Sequence, residues 1–299
     1  MISVVICTRN PEPGTFARTL ECLARQTLPV DRWELVVIDN GSIPPVMLPV
    51  VDRLPRCRLV GEPTPGIAAA RVRGIREAAG ELIVFVDDDN LLDPDYLETA
   101  VQIAESFPQL GAFGGRITAY GDLCLPEWLK PFRSHLALAE FDRDEWALTA
   151  GEGLVVPYGA GLCVRRAPAL HWATDPACAA RRTKLNDRPG ALRVSEDDDL
   201  VMTCLDQGFG AGRFQALHLR HVIPASRLDY GYHRHLARDI GYSYGRLLAL
   251  RGQTSRGRRA IAAVKTGLAL IGVKHHGRAR VLDFEYHYGF WRGLRRGYG

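Results

Sequence analysis

Leu82-Ile-Val-Phe-Val86 runs directly into Asp87-Asp88-Asp89, and this stretch decides the fold. An unbroken apolar run of β-favouring residues reads as a strand buried on both faces. Upstream, Ser3-Val-Val-Ile-Cys7 and Glu34-Leu-Val-Val-Ile-Asp39 read the same way, the second ended by the turn-forming Asn40-Gly41. Arg56 to Gly61 is a weaker third strand. Between them, Thr15 to Gln26 places Phe16, Leu20 and Leu23 at helical spacing, and Gly66 to Ala79 does so with Ile67, Ala70, Ile75 and Ala78. Downstream, Asp93-Pro94 reads as a capping acid followed by a first-position proline, opening a helix with Leu97, Val101 and Ala104 on one face. Strand alternating with helix predicts an α/β fold of Rossmann-like type, a mainly parallel sheet with helices on both faces. Ligands of such sheets bind outside the carboxyl ends of the strands, where Thr8, Asp39 and Asp87–Asp89 all fall.

From about Gly111 the pattern loosens. Pro126 to Leu129 reads as loop, Leu162 to Val164 as a strand, and residues 175–194 as a polar, Arg-rich loop. Ser195 to Gln207 reads as a helix with Leu200, Val201, Cys204 and Leu205 on one side. Beyond about residue 226 come basic helices with no strand signal.

The chain has 299 residues, 46% hydrophobic and 24% charged, the composition of an ordinary globular protein. The run Ile2 to Cys7 lacks the basic lead of a signal peptide, and no segment approaches a membrane span, so the expected location is the cytoplasm. Seven cysteines without a Cys-x-x-Cys argue for reduced core thiols and against a disulfide framework or structural zinc. The net charge of +4 is unevenly spread. Residues 1–214 hold 22 Lys and Arg against 30 Asp and Glu, whereas residues 215–299 hold 16 against 4.

Three clusters carry candidate chemistry. Adjacent carboxylates at the mouth of a buried strand repel one another, and a hard divalent cation, Mn²⁺ or Mg²⁺, removes that cost. A solvated acidic turn is the plainer alternative. A phosphatase of the haloacid-dehalogenase type is disfavoured, because Leu91 stands where Thr or Val belongs. Ser195-Glu-Asp-Asp-Asp199 fits a capping box formed by Ser195 with Asp198, and fits equally a carboxylate acting as general base. Arg71 and Arg73 on the helix after Gly66 could reach diphosphate oxygens or simply face solvent.

Together these segments resemble glycosyltransferase family 2, the inverting family of GT-A fold. The likeness rests on Val4-Val-Ile-Cys-Thr-Arg-Asn10, Glu34–Ser42, Gly66–Ile75, the D-x-D-like Val84–Asn90, the glycine turn Tyr158-Gly159-Ala160-Gly161 with Arg165, and Glu196–Leu200 followed by Gly208. It implies a catalytic domain over 1–225, with a nucleotide-sugar half over 1–115 and an acceptor half over 116–225, and a basic helical extension over 226–299. It implies that Thr8, Arg9 and Asp39 hold the nucleoside, that Arg71, Asp87 and Asp88 also contact the nucleotide, and that Asp89 ligates the metal. His221 would reach the metal or the diphosphate, or be structural. Gly159, Ala160, Gly161 and Glu196 would meet the acceptor, and Asp197 would be the catalytic base. All three positions of D-x-D are Asp here, so Asp87 and Asp88 are not ranked as the ribose contact. The implied reaction moves a sugar from a nucleotide diphosphate donor, uridine being the commonest base, to a hydroxyl of a glycan, lipid-linked or small acceptor. Cell-surface polysaccharide biosynthesis is the implied setting.

A nucleotidyltransferase making nucleotide sugars is the enzymatic rival, but Pro11-Glu-Pro-Gly14 lacks its lysine-bearing phosphate loop. A nucleotide-binding relic without catalysis is a further one, disfavoured by the intact carboxylates. No nucleic-acid partner is expected, since no base-reading motif accompanies the basic tail. That tail carries Arg256-Gly-Arg258-Arg259 and Lys274-His-His-Gly-Arg278-Ala-Arg280 with interspersed tyrosines. It suits peripheral contact with an anionic membrane face, a cover over the donor site, or a homodimer contact.

Overall fold

The computed structural model describes residues 1–48, 54, 56–149, 156–185, 195–273 and 277–295. Residues 186–194 of the Arg-rich segment and Lys274-His275-His276 of the basic tail lie outside them.

Strands β1 (Ile2–Thr8), β2 (Trp33–Asp39), β3 (Cys57–Gly61), β4 (Leu82–Val86), β5 (Asn90–Leu92), β6 (Leu110–Ala119), β7 (Glu145–Ala147), β8 (Cys163–Arg165) and β9 (Gly210–His221) form one sheet. Its order is β3-β2-β1-β4-β8-β6-β9-β5, with β7 pairing β9 as well. Strands β1 to β4 are mutually parallel, β8 is antiparallel to β4 and β6, and β6 runs parallel to β9. All five residues of β4 are buried, as its unbroken apolar sequence requires.

The helices are α1 (Pro13–Ala24), α2 (Ile67–Glu77), α3 (Tyr96–Ser106), α4 (Arg166–Thr174), α5 (Pro176–Leu185), α6 (Glu196–Asp206), α7 (Tyr230–Leu250), α8 (Arg256–Val273) and α9 (Arg278–Arg295). The Glu12 carboxylate caps α1, accepting from the backbone N–H groups of Gly14 and Thr15 at 3.0 and 2.7 Å. Helix α2 lies so close to β1 that a Cβ at Gly74 would collide with Val5.

The chain divides into two compact units. One comprises residues 1–122, 137–175 and 200–222 and contains the whole sheet. The other comprises 123–136, 176–199 and 223–299 and is helical, with α7, α8 and α9 at its centre. Within it, α7 and α9 meet backbone to backbone. A Cβ at Gly241 or Gly245 of α7 would strike the carbonyl oxygens of Tyr286 or Phe290, and one at Gly289 or Gly293 of α9 those of Arg238 or Tyr242.

Four local expectations are corrected. Helix α3 starts at Tyr96 rather than at Pro94, because Asn90–Leu92 pairs with β9 and Asp93 turns its carboxylate to His218 Nδ1 at 2.7 Å. The segment after Gly111 is not loose: β6 runs for ten residues. Residues 176–185 are helical, not loop. Ser195 has φ 78°, outside the extended conformation of a helix cap, so the capping box is not formed that way. All seven cysteines are free, with Cys163, Cys178 and Cys204 buried and Cys124 exposed.

Candidate active site

The carboxyl ends of β1, β2 and β4 bring most of the candidate residues together. Register places Thr8 opposite Asp39, and the strand after the acidic run, β5, places Asn90 opposite His221. Buried Thr8 donates its hydroxyl to the Asp88 carboxylate, and Thr19 of α1 donates to the Asp88 carbonyl at 3.0 Å. His221 Nε2 lies 3.2 Å from Asp89 Oδ2, while Asn90 Nδ2 donates to Asp89 Oδ1 at 3.0 Å. Asn90 also accepts from the Asp87 N–H at 3.1 Å, so one fully buried amide fixes two of the three acids.

The electrostatics follow from this crowding. Burial and then the adjacent Asp89 push Asp87 up to about 6, against partial relief from Arg71 and His221. Arg71 is itself buried, its guanidinium 5.4 Å from the centroid of the Phe85 ring. Asp39 behaves oppositely. Burial alone would raise it, but hydrogen bonding from the Ser42 side chain, then from the N–H groups of Val46 at 3.0 Å and Ser42 at 2.8 Å, outweighs that and holds it below the ordinary carboxylate range. Arg9 is exposed just beyond β1.

The Asp89 carboxylate and the His221 imidazole, 3.2 Å apart beside two further acids, are donor types that suit a divalent cation such as Mn²⁺. The raised Asp87 is consistent with a site whose excess negative charge a cation would offset.

The Gly159–Gly161 turn leads into β8, and the Phe85 N–H of β4 donates to Leu162 O at 2.8 Å. Gly161 has φ +72° and no room for a Cβ against Tyr96, whose hydroxyl donates to the Gly161 carbonyl at 2.7 Å. Ala160 is buried. Glu196 and Asp197 belong to the helical unit, on the first turn of α6, where Asp197 Oδ1 accepts from the Asp198 N–H at 3.0 Å. In the same unit Asp199 is fully buried, held by Arg181 at 2.6 Å and Arg251 at 2.8 Å.

One residue at the sheet's ligand edge escaped sequence reasoning. Asn40, buried, donates to Glu62 O at 2.9 Å and Thr64 O at 2.7 Å and accepts from the Gly66 N–H at 2.7 Å. It ties the end of β2 to the loop that starts α2. Its sequence signal was present but was read only as a turn former.

Comparison with known proteins bears on the family and the fold. Residues 3–150 match the family described as Glycosyl transferase family 2. Among curated relatives, the glucosyl-dolichyl phosphate glucuronosyltransferase of Haloferax volcanii is 27% identical over 135 residues, covering 43% of this chain and 39% of that protein. The validoxylamine A glucosyltransferase of Streptomyces hygroscopicus subsp. jinggangensis is 37% identical over 106 residues, covering 34% and 25%. The chain therefore spans well under half the length of these relatives. Among solved structures, Staphylococcus aureus TarS 1-349 superposes with TM-score 0.54 at 16% identity over 99% of this chain and 91% of that one. The mannosyltransferase PcManGT of Pyrobaculum calidifontis superposes with TM-score 0.54 at 16% identity over 97% and 86%. These likenesses establish the GT-A fold. Through residues 3–150, this chain belongs to glycosyl transferase family 2.

Proposed function

We propose that the protein transfers a sugar from a nucleotide diphosphate donor, a UDP-sugar first among candidates, to a hydroxyl acceptor with inversion at the anomeric carbon. The observation that carries the reading is the Asp87–Asp89 run at the end of a buried strand with His221 against Asp89. The mannosyltransferase of like fold was solved with GDP-Man and Mn²⁺, which supports a nucleotide-sugar donor and a divalent ion.

In this reading Thr8, Arg9 and Asp39 hold the nucleoside, Arg71 draws in the negatively charged donor, and Asp87 and Asp88 meet the nucleotide. Asp89 and His221 would hold Mn²⁺ or Mg²⁺, which when bound offsets charge growing on the leaving diphosphate. Asp197 takes the proton from the acceptor hydroxyl as its oxygen attacks the face opposite the leaving group. Glu196 and the Gly159–Gly161 turn orient that acceptor, a glycan, a lipid-linked glycan or a small molecule. The catalytic region is taken as 1–225, with nucleotide-sugar and acceptor halves meeting at about residue 115. Residues 226–299 are the extension, assigned to peripheral contact at the cytoplasmic face of the membrane, a homodimer contact being its second use. Among the described residues no helix is long and apolar enough to cross a membrane. Polysaccharide biosynthesis is the proposed setting.

Thermal melting against nucleoside diphosphates, with and without Mn²⁺, tests the donor assignment. A ligand at ~100 times its dissociation constant stabilises the fold by about 2.7 kcal/mol. A metal-dependent shift with one base, lost in Asp89→Asn, is the expected result. No shift with any nucleotide in the presence of metal overturns the transferase reading.

A further inference from the structure

We propose that the outward face of α8 is a docking surface for an anionic lipid bilayer. This deepens the peripheral-contact reading of the extension by naming the helix and the face. It does not depend on the transfer chemistry.

The two faces of α8 are distinct. Ala262 and Ala269 are buried, and Thr266 between them donates to the His287 carbonyl of α9 at 3.1 Å, so this face is turned inward. The other face carries Ile261, Val264 and Leu268, which are 60%, 60% and 62% exposed. They recur at helical spacing, so they form one stripe rather than scattered surface aliphatics. Arg258 and Lys265, both exposed, fall on the same strip at the positions three before and four after Ile261. Helix α8 has four basic residues and no acidic one.

Three exposed aliphatics threaded by cations fit a helix lying in the plane of a membrane interface, apolar side chains in the acyl boundary and cations at the headgroups. Charge selects the occupant. A second copy of the chain would set Arg258 and Lys265 against the same cations, which repel, whereas an anionic leaflet attracts each of them. A transmembrane role is excluded for this helix by its length and polarity.

Flotation of the full chain with vesicles of phosphatidylglycerol and phosphatidylcholine, without donor or acceptor, tests the face. Wild type should float with anionic vesicles and lose binding as salt rises. The triple variant I261S/V264S/L268S should partition at least about tenfold more weakly, with unchanged circular dichroism, because each substitution removes buried hydrocarbon. A charge variant, R258Q/K265Q, should lose the preference for anionic over neutral vesicles. Absence of wild-type binding, or equal binding of the triple variant, overturns the proposal. The second result would leave a membrane-bound extension that uses another surface. A concentration-dependent dimer that the triple variant abolishes, without vesicle binding, would make the stripe a self-interface and also overturn it.

Discussion

Acidic side chains sit at the heart of both compact units, but their surroundings differ. In the sheet unit Asp87, Asp88 and Asp89 stand side by side among a hydroxyl, an amide and one imidazole, and burial with the adjacent Asp89 pushes Asp87 up to about 6 despite partial relief from Arg71 and His221. In the helical unit two buried acids are each held by two arginines. Asp199 is clamped by Arg181 and Arg251, and Glu285, 2% exposed, by Arg234 at 2.9 Å and Arg238 at 2.5 Å. An acid neutralised within its own unit stabilises the fold and is finished chemically. Acids crowded together retain charge that suits a ligand. The pattern of partners, more than burial, separates candidate chemistry from structure.

The contrast can be broken by measurement. Asp197→Asn should leave folding and nucleotide binding intact and lower transfer about a thousandfold, the scale of a lost general base. Full activity in single-turnover assays would sink the base assignment. Asp199→Asn should cost about 3 kcal/mol in urea unfolding, because it leaves Arg251, 4% exposed, facing a neutral group. His135, stacked on His233 with ring centroids 5.9 Å apart, is lowered to about 4 by burial and then by His233. Its folded value lies below the ordinary 6.5, so between these pH values the unfolded chain takes up a proton that the folded chain refuses. Stability should fall as pH drops through that window, and His135→Phe should remove on the order of 1 kcal/mol of the fall. The smallest effect is expected for Asp89→Asn, which should change stability by less than about 1 kcal/mol without metal, since it relieves repulsion rather than breaking an Arg pair. A loss as large as that of Asp199→Asn would erase the distinction between the two units.

Most of the parallel half of the sheet was legible because β1, β2 and β4 are mainly apolar runs, while the more exposed β3 gave a weaker signal. Strands β6 and β9 were missed because glycines interrupt their pattern. Those glycines are there for contact: a Cβ at Gly115 would strike the Leu217 carbonyl, and one at Gly212 would lie 2.7 Å from the Trp146 Cβ. Close strand approach thus erased the alternation that announces a strand. Short β5 displaced the expected helix start by pairing with β9, a contact made over 120 residues away in sequence. Most candidate site residues were visible as motifs, since Thr8, Asp39 and Asp87–Asp89 end strands that could be read. Asn40 was not, because its work is done through loop backbone that only the folded chain brings near. The Arg181–Asp199–Arg251 clamp was hidden for the same reason: nothing local marks one acid of four as the structural one.

The glycines of α7 and α9 give the extension a modular character. With backbones touching at Gly241, Gly245, Gly289 and Gly293, neither helix can slide or turn without collision. Helix α8, between them in sequence, is therefore carried by a fixed frame. Changes on its outward face should leave the α7 and α9 anchor points in place, whereas Ala262, Thr266 and Ala269 are held on the inward face. A graft of that outward face from another protein would be expected to inherit the frame, carrying a new surface on an old hinge-free mount.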